Sequence, residues 1–332
     1  MLNIAAFTKQ IFVLAQNDFD AAALALFKFQ AHSNRVYADY LQLLGRSPES
    51  VERIEQIPFL PVGLFRNRQV LCAGVQGTSY FESSGTTDAE KSRHYYDETA
   101  VYDASILRGF SRIYGVPAQY TFLALLPSYL DRPHASLVHM CRVLMQASGD
   151  ADSGFFSGDT DTFLRNLQRL EVAGRKTIVI GVSFALLALA EKHPIPLQHA
   201  ILMETGGMKG RSPEITRAAL HKVLSDAFGI DNIHSEYGMT EMFSQAYAVR
   251  DGIFQTPPWM RVLTRDPSDP LCMLHNGENG CLNIIDLANV HSCAFLATDD
   301  IGRVFPDGHF EVSGRNDNSA MRGCNILYAN TL

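Results

Sequence analysis

The sequence predicts an α/β fold: a largely parallel sheet flanked by helices, followed by a smaller β-rich subdomain. Three observations carry this. Short apolar runs of strand length alternate with helix-period segments between residues 69 and 250, the pattern of a largely parallel sheet. After residue 252 turn signals crowd together, at Pro257-Pro258, Pro267, Asp269-Pro270, Asn276-Gly277, Asn279-Gly280 and Pro306-Asp307-Gly308, with short strands between them. The 332 residues, 46% of them hydrophobic, supply enough core for two domains or for one large domain with subdomains. The boundary is placed near 250, giving 1–250 and 251–332.

The elements follow in order. Ile4, Phe7, Ile11 and Leu14 recur at helical spacing. Asn17 and Asp18 mark a second helix start, and one apolar stripe (Leu24, Phe27, Tyr37, Leu41, Leu44) predicts a single helix from Ala21 to Leu44, ended by Gly45, Ser47 and Pro48. Ile57–Pro61 must be extended, because its two prolines block a helix. Gln69–Cys72 and Ser79–Glu82 read as short strands, Ala100–Arg112 as a helix and Tyr120–Leu126 as a buried strand. Helices are expected over Ala135–Met145 and Thr160–Leu170, and a buried strand over Lys176–Gly181. Ser183 is read as the cap of a helix over Phe184–Glu191. His199–Met203 is a further strand, and Ser212-Pro213-Glu214 starts a helix reaching Ala227. In the last part, Gly280–Asp286 and His309–Ser313 read as strands.

Composition narrows the function. The formal net charge of −7 argues against a nucleic-acid partner. The six cysteines, Cys72, Cys141, Cys272, Cys281, Cys293 and Cys324, form no Cys-x-x-Cys pair and no zinc spacing, which fits a reducing compartment. Gln10, Gln16, Asn17 and Asp18 interrupt the first apolar run before it could serve as a signal peptide. No stretch is long and apolar enough to cross a membrane. A cytoplasmic protein is therefore expected.

Three segments suggest chemistry. Ser83-Ser84-Gly85-Thr86-Thr87 follows a predicted strand, and its hydroxyls and amides can cradle phosphate oxygens. It is not a P-loop, and it fits an ordinary polar hairpin turn as well. Tyr237-Gly238-Met239-Thr240-Glu241 offers an aromatic face for a base and a carboxylate for Mg²⁺ beside phosphates; it also fits a strand end with a surface acid. Thr298-Asp299-Asp300 and Gly314-Arg315-Asn316-Asp317 offer an acceptor for sugar hydroxyls and a cation for phosphate, or else a pair of acidic turns.

Taken in order, with Gly206-Gly207 between the first and second and Pro306-Asp307-Gly308 late, these segments resemble the adenylate-forming superfamily of acyl-CoA ligases, acyl-activating enzymes and peptide-synthetase adenylation domains. Within it the sequence is similar to the acyl-protein synthetases of the LuxE-like family. That likeness is carried by Ile57–Pro61, Ser92-Arg93-His94, Leu126–Leu130, Thr205–Arg211 and Arg322-Gly323-Cys324-Asn325. The resemblance implies the large N-terminal-type domain of adenylate-forming enzymes, with mixed parallel sheets and a β-rich subdomain carrying a hinge-like motif; the family's usual mobile C-terminal domain is expected to be absent. It implies ATP and Mg²⁺, a small carboxylic acid (by the family, a fatty acid) and transfer of the acyl group to a thiol.

The resemblance also implies residue roles. Ser83, Ser84, Gly85, Thr86 and Thr87 would hold the β- and γ-phosphates, and Thr240 would contact the α-phosphate. Glu241 would bind Mg²⁺. Gly206, Gly207 and Tyr237 would frame the adenine, with Gly238 and Met239 in the same nucleotide-binding segment. Asp300 would hold the ribose hydroxyls and Arg315 would reach the ribose or phosphate. His94 and Lys209 would orient the carboxylate or the leaving phosphate, or else be surface or structural residues. Cys324 would take the acyl group as a thioester and pass it to a partner such as a reductase, with Arg322 favouring the thiolate.

The sequence departs from the family pattern at Asp88-Ala89-Glu90-Lys91 after the phosphate loop, and at Asp299, where the family has glycine. Two other readings stay open: a ligase passing its acyl group to CoA or a carrier protein, and a catalytically silent acyl- or nucleotide-binding subunit.

Overall fold

The computed structural model describes residues 2–84, 91–127, 132–206 and 215–316. Three helices open the chain: α1 (Ile4–Gln10), α2 (Phe19–Ser33) and α3 (Arg35–Leu43). The single helix expected from Ala21 to Leu44 is therefore two. Asn34 breaks it in an extended conformation, its side chain capping α3 through the Tyr37 amide and donating to the carbonyl of Ser292 at 3.0 Å. A tertiary hydrogen bond thus overrides a locally continuous helical pattern.

The chain then runs extended through β1 (Leu60–Pro61) to a hairpin, β2 (Ser79–Glu82) and β3 (Arg93–Tyr96). The expected strand at Gln69–Cys72 does not form. Only Cys72 makes an isolated bridge, to Asn34.

The helical and strand segments that follow are α4 (Ala100–Tyr114), β4 (Thr121–Leu125), α5 (Ser136–Ser148), β5 (Gly154–Phe156), α6 (Thr160–Val172), β6 (Thr177–Val182), α7 (Ser183–Lys192), β7 (Ala200–Thr205), α8 (Arg217–Phe228), β8 (His234–Tyr237) and β9 (Ala246–Ala248). Their strands form one sheet in the order β5-β4-β6-β7-β8-β9, parallel except for β9. Every residue of β4 and β6 is buried, which explains their uninterrupted apolar sequences: a parallel strand covered on both faces has no polar side. The chain moves from β4 outward to β5, then crosses back to β6 on the other side of β4. That reversal makes β4 and β6 a topological switch point, the kind of place at whose carboxyl ends open α/β sheets bind ligands.

Ser183 does not cap its helix. It is the first residue of α7, and its hydroxyl donates instead to Glu204 at 3.1 Å and to the carbonyl of Gly206. The expected start of the next helix at Ser212–Glu214 lies outside the described residues. The described helix α8 begins at Arg217, with the Thr216 side chain capping the Ala219 amide.

The remaining strands are β10 (Ile253–Phe254), β11 (Met260–Arg265), β12 (Gly280–Asp286), β13 (Phe295–Val304) and β14 (Phe310–Arg315). They form an antiparallel sheet in the order β10-β14-β13-β12-β11. The strand β1 adds to it from the other end of the sequence, pairing in parallel with Leu296 and Ala297. Behind this sheet Phe27, Tyr37 and Phe59 pack around Phe295, with centroids 5.7 to 6.3 Å apart. Burial of these rings fastens the N-terminal helices to β13.

Candidate active site

The site is built around the turn that joins β8 to the antiparallel β9. Gly238 leaves room there for the Glu236 carboxylate. A Cβ on it would lie 2.6 Å from Glu236 Oε1 and 3.6 Å from Gln245 Cγ. Immediately before it, the Tyr237 hydroxyl donates to Asp300 Oδ2 at 2.8 Å, and Arg315 Nε donates to Asp300 Oδ1 at 3.1 Å. Asp300 and Arg315 face each other across the β13–β14 ladder. Burial, then the neighbouring Asp300 charge, holds the Tyr237 phenol far above its ordinary range, so it remains a donor. The sequence reading gives the Tyr237 ring to the adenine. The structure packs it 5.3 Å from the Phe310 ring and 5.7 Å from that of Phe254, with its hydroxyl fixing Asp300. Arg315 keeps a side chain 73% exposed, so its free face is open to a ligand.

Glu241 lies at the other end of the turn and is only 7% exposed. Burial raises its pKa, against the opposing pull of a hydrogen bond from Ser92 and the charges of Arg315 and Arg66. The turn's main chain is held by side chains. His94 Nδ1 meets the Thr240 carbonyl at 3.0 Å, and Asn289 Nδ2 donates to the Glu241 carbonyl at 2.8 Å. Asp286 accepts from the Phe243 amide at 2.8 Å, the Ser244 hydroxyl at 2.5 Å and the Ala288 amide at 3.1 Å. Burial pushes the Asp286 carboxyl up to about 6 despite these donors. His94 is fully buried, stacked on Phe243 at 4.4 Å and edge-on to Phe65 at 5.7 Å. Burial lowers its pKa to about 4, so the ring is neutral at physiological pH.

The Ser83 segment closes a hairpin neck. The Ser83 amide donates to the Ser92 carbonyl at 3.0 Å, and the Ser92 amide donates to Ser83 Oγ at 2.9 Å. Beside it, Glu82 pairs with Lys91 at 3.0 Å and Arg93 at 3.1 Å. Ser84 is the last residue described before the loop, and Gly85, Thr86 and Thr87 lie outside the described residues. So do Gly207, Lys209 and Cys324. Gly206 directly follows β7 with φ +67°, a left-handed turn that favours glycine. Met239 is half-buried against the core, and its carbonyl accepts from the Met242 amide at 3.1 Å.

No protein-family model matches the chain. A long-chain-fatty-acid–luciferin-component ligase of Aliivibrio fischeri is 21% identical to it over 330 residues, which is 92% of this chain and 86% of that ligase. A crystal structure of 2-hydroxyisobutyryl-CoA ligase, in complex with 2-HIB-AMP and CoA, matches with a TM-score of 0.64 and 14% identity, over 90% of this chain and 70% of that one. ATP-bound MatB from Rhodopseudomonas palustris matches with a TM-score of 0.53 and 18% identity over 71% of this chain, which spans about half of MatB, 47%. The chain is thus similar over about nine-tenths of its length to luciferin-component ligases, and it shares the fold of these acyl-CoA ligase structures.

Five of the residues expected from the adenylate-forming pattern, Tyr237, Thr240, Glu241, Asp300 and Arg315, meet in one region, and Ser92 links the Ser83 neck to it. Among the described residues no three or more His, Cys, Asp or Glu side chains converge as a metal cage. A single carboxylate such as Glu241 is compatible with Mg²⁺ held otherwise by phosphate oxygens. Among the described residues no helix is long and apolar enough to cross a membrane.

The residues that sequence reasoning missed are the supports. Asp286 and Asn289 follow the apolar run of β12, and an acid ending such a run was the available signal. Glu204, buried at 3% exposure, receives Arg217 Nε at 3.0 Å and the Ser183 hydroxyl. Burial alone would raise its pKa, but His221, Arg217 and Ser235 bring it below the ordinary value. Arg217 also donates to the Val312 carbonyl at 2.8 Å, tying the parallel sheet to β14. No local pattern in the sequence marks that ion pair.

Proposed function

We propose that the protein activates a carboxylic acid with ATP and transfers the acyl group to a thiol. The observation that carries this is the hydrogen-bonded chain of Tyr237, Asp300 and Arg315, which begins where β8 enters the turn that presents Thr240 and Glu241. The Aliivibrio fischeri relative, a fatty-acid ligase by name, supports a fatty acid as the substrate and a protein as the acyl acceptor.

In the first step a carboxylate oxygen attacks the α-phosphorus of ATP, the bond to the β-phosphate bridge breaks, and pyrophosphate leaves with the electron pair. The chain's task is alignment and charge stabilisation rather than covalent help. Asp300 accepts from the ribose hydroxyls, Arg315 offers its exposed face to ribose or phosphate, and Thr240 donates to the α-phosphate. Ser83–Thr87 hold the outer phosphates, Gly206 and Gly207 border the adenine, and Tyr237 fixes Asp300. Mg²⁺ on Glu241 would neutralise phosphate charge. In the second step the Cys324 thiolate attacks the acyl carbonyl, a thioester forms and AMP leaves; the acyl group then passes to a partner such as a reductase.

Incubation with ATP, Mg²⁺ and a panel of fatty and aromatic acids should add an acyl mass that hydroxylamine removes. Cys324→Ser should abolish that mass and keep acid-dependent pyrophosphate exchange, whereas Glu241→Gln should abolish both. A thioester still formed by Cys324→Ser would remove Cys324 from the reaction. If no acid in the panel supports pyrophosphate exchange, the activity itself is ruled out.

A further inference from the structure

The Thr240–Ser244 turn has an uncommon construction. The β8–β9 ladder pairs Ser235 to Tyr237 with Ala246 to Ala248 and leaves the turn between them without ladder partners. Buried main-chain groups must then be satisfied from elsewhere. Two of the partners act on consecutive carbonyls: His94 on Thr240, and Asn289 on Glu241.

Consecutive carbonyls belong to consecutive peptide planes. The Thr240 carbonyl lies in the plane that precedes the Glu241 Cα, and the Glu241 carbonyl lies in the plane that follows it. Each plane is rigid, so the angle between them is set by φ and ψ of Glu241 alone. Holding both carbonyls therefore fixes the backbone of Glu241 and leaves its carboxylate only the side-chain torsions. We propose that His94 and Asn289 are a pair of positioning residues that clamp the two peptide planes around Glu241 and so aim its carboxylate. The inference rests on the proposed role of Glu241 toward Mg²⁺ and nucleotide.

Both holders are themselves held. The His94 ring is gripped between Phe243 and Phe65, and as a neutral ring facing a carbonyl it must carry its proton on Nδ1. Nε2 is buried with no hydrogen-bond partner. That pattern fits a group kept for one directed bond rather than for proton transfer. Asn289 also donates to the Cys293 carbonyl at 3.1 Å, and its own carbonyl accepts from Gln30 Nε2 at 2.8 Å. The clamp thus has one jaw on the β2–β3 hairpin and one on the turn after β12, braced by α2.

The test compares His94→Phe, which keeps a ring in the packing but loses the donor, with His94→Asn, which keeps a donor near the position of Nδ1. Two readouts are used: ATP binding by calorimetry with Mg²⁺ and with EDTA, and hydrogen–deuterium exchange of the 240–244 amides. His94→Phe should weaken Mg²⁺-dependent binding about tenfold, the effect of one lost buried hydrogen bond, and leave metal-free binding within about twofold. Exchange over 240–244 should accelerate by a similar factor, and His94→Asn should restore most of both losses. Asn289→Asp, which turns the donor into an acceptor facing a carbonyl, should reproduce His94→Phe. Equal weakening with and without metal, no change in either, or identical behaviour of the Phe and Asn variants would overturn the clamp. If wild-type protein binds no nucleotide at all, the proposed function fails, and the exchange pattern across the variants still decides whether the clamp exists.

Discussion

The Ser83 hairpin neck closes on itself. Its bonds join Ser83 to Ser92 and Glu82 to Lys91 and Arg93, residues close in sequence and, apart from the buried Ser92, partly exposed. The Thr240–Ser244 turn, which Ser92 links to that neck through Glu241, is built the opposite way. It hangs on His94, Asp286 and Asn289, all of them buried and distant in sequence. A local neck can be altered at little cost to the rest of the molecule. A turn suspended from the core carries the energy of the core with it, since each support that is removed strands a buried polar group.

The largest effect should come from Asp286→Ala. It orphans the Phe243 amide, the Ser244 hydroxyl and the Ala288 amide together. A loss on the order of 3–5 kcal/mol is expected, seen as a melting temperature lower by roughly 5–15 °C in scanning calorimetry. A change of a degree or two would mean that the turn does not depend on its supports.

Next comes the pH dependence carried by His94. Its folded pKa, about 4, lies below the ordinary 6.5, so the unfolded chain takes up more protons between these values. Stability should therefore fall as pH drops from 6.5 to 4, by at most about 3 kcal/mol from this group. Asp286 acts with the opposite sign, because its folded value of about 6 lies above its ordinary 3.8. It favours the folded state below 3.8, and that gain is lost as pH rises through 6. The His94 part is read by subtraction, as a shallower acid slope for His94→Phe than for wild type in urea melts at several pH values.

Tyr237→Phe removes one buried hydrogen bond to Asp300 and keeps the ring between Phe254 and Phe310. It should cost about 1–2 kcal/mol and raise the KM for ATP more than it lowers kcat. The smallest effect on stability belongs to Ser83→Ala, about 1 kcal/mol or less, because the neck keeps its Ser83 amide bond to Ser92. A Ser83→Ala loss as large as that of Asp286→Ala would erase the distinction between the two regions.

Much of the fold could be read in the sequence where physics leaves one choice. A parallel strand buried on both faces needs a continuous apolar run, so Phe122–Leu125 and Ile178–Val182 announce themselves. So does β12, whose predicted limits coincide with Gly280–Asp286. The misreadings share a cause. Asn34 looks like a tolerated polar residue inside a helix until Ser292 is brought to it, and Ser183 looks like a cap until Glu204 and Gly206 compete for its hydroxyl. The same division runs through the site. Tyr237, Thr240, Glu241, Asp300 and Arg315 stand in a recognisable order, whereas Asn289, Asp286 and Arg217 matter only through what they meet in space.

The meeting of Gln30 and Asn34 with residues 289–294 also orders events during synthesis. Gln30 donates to a carbonyl 259 residues further along the chain, and Leu60 and Pro61 wait for Leu296 and Ala297. On a ribosome adding roughly 5–20 residues per second, α2 and α3 emerge on the order of tens of seconds before the strand that completes them. In that interval their buried amides and the Phe27, Tyr37 and Phe59 rings lack their final neighbours. The nascent chain therefore exposes this apolar surface before the strand that covers it exists, and residues 19–61 would then offer a target to a holding chaperone.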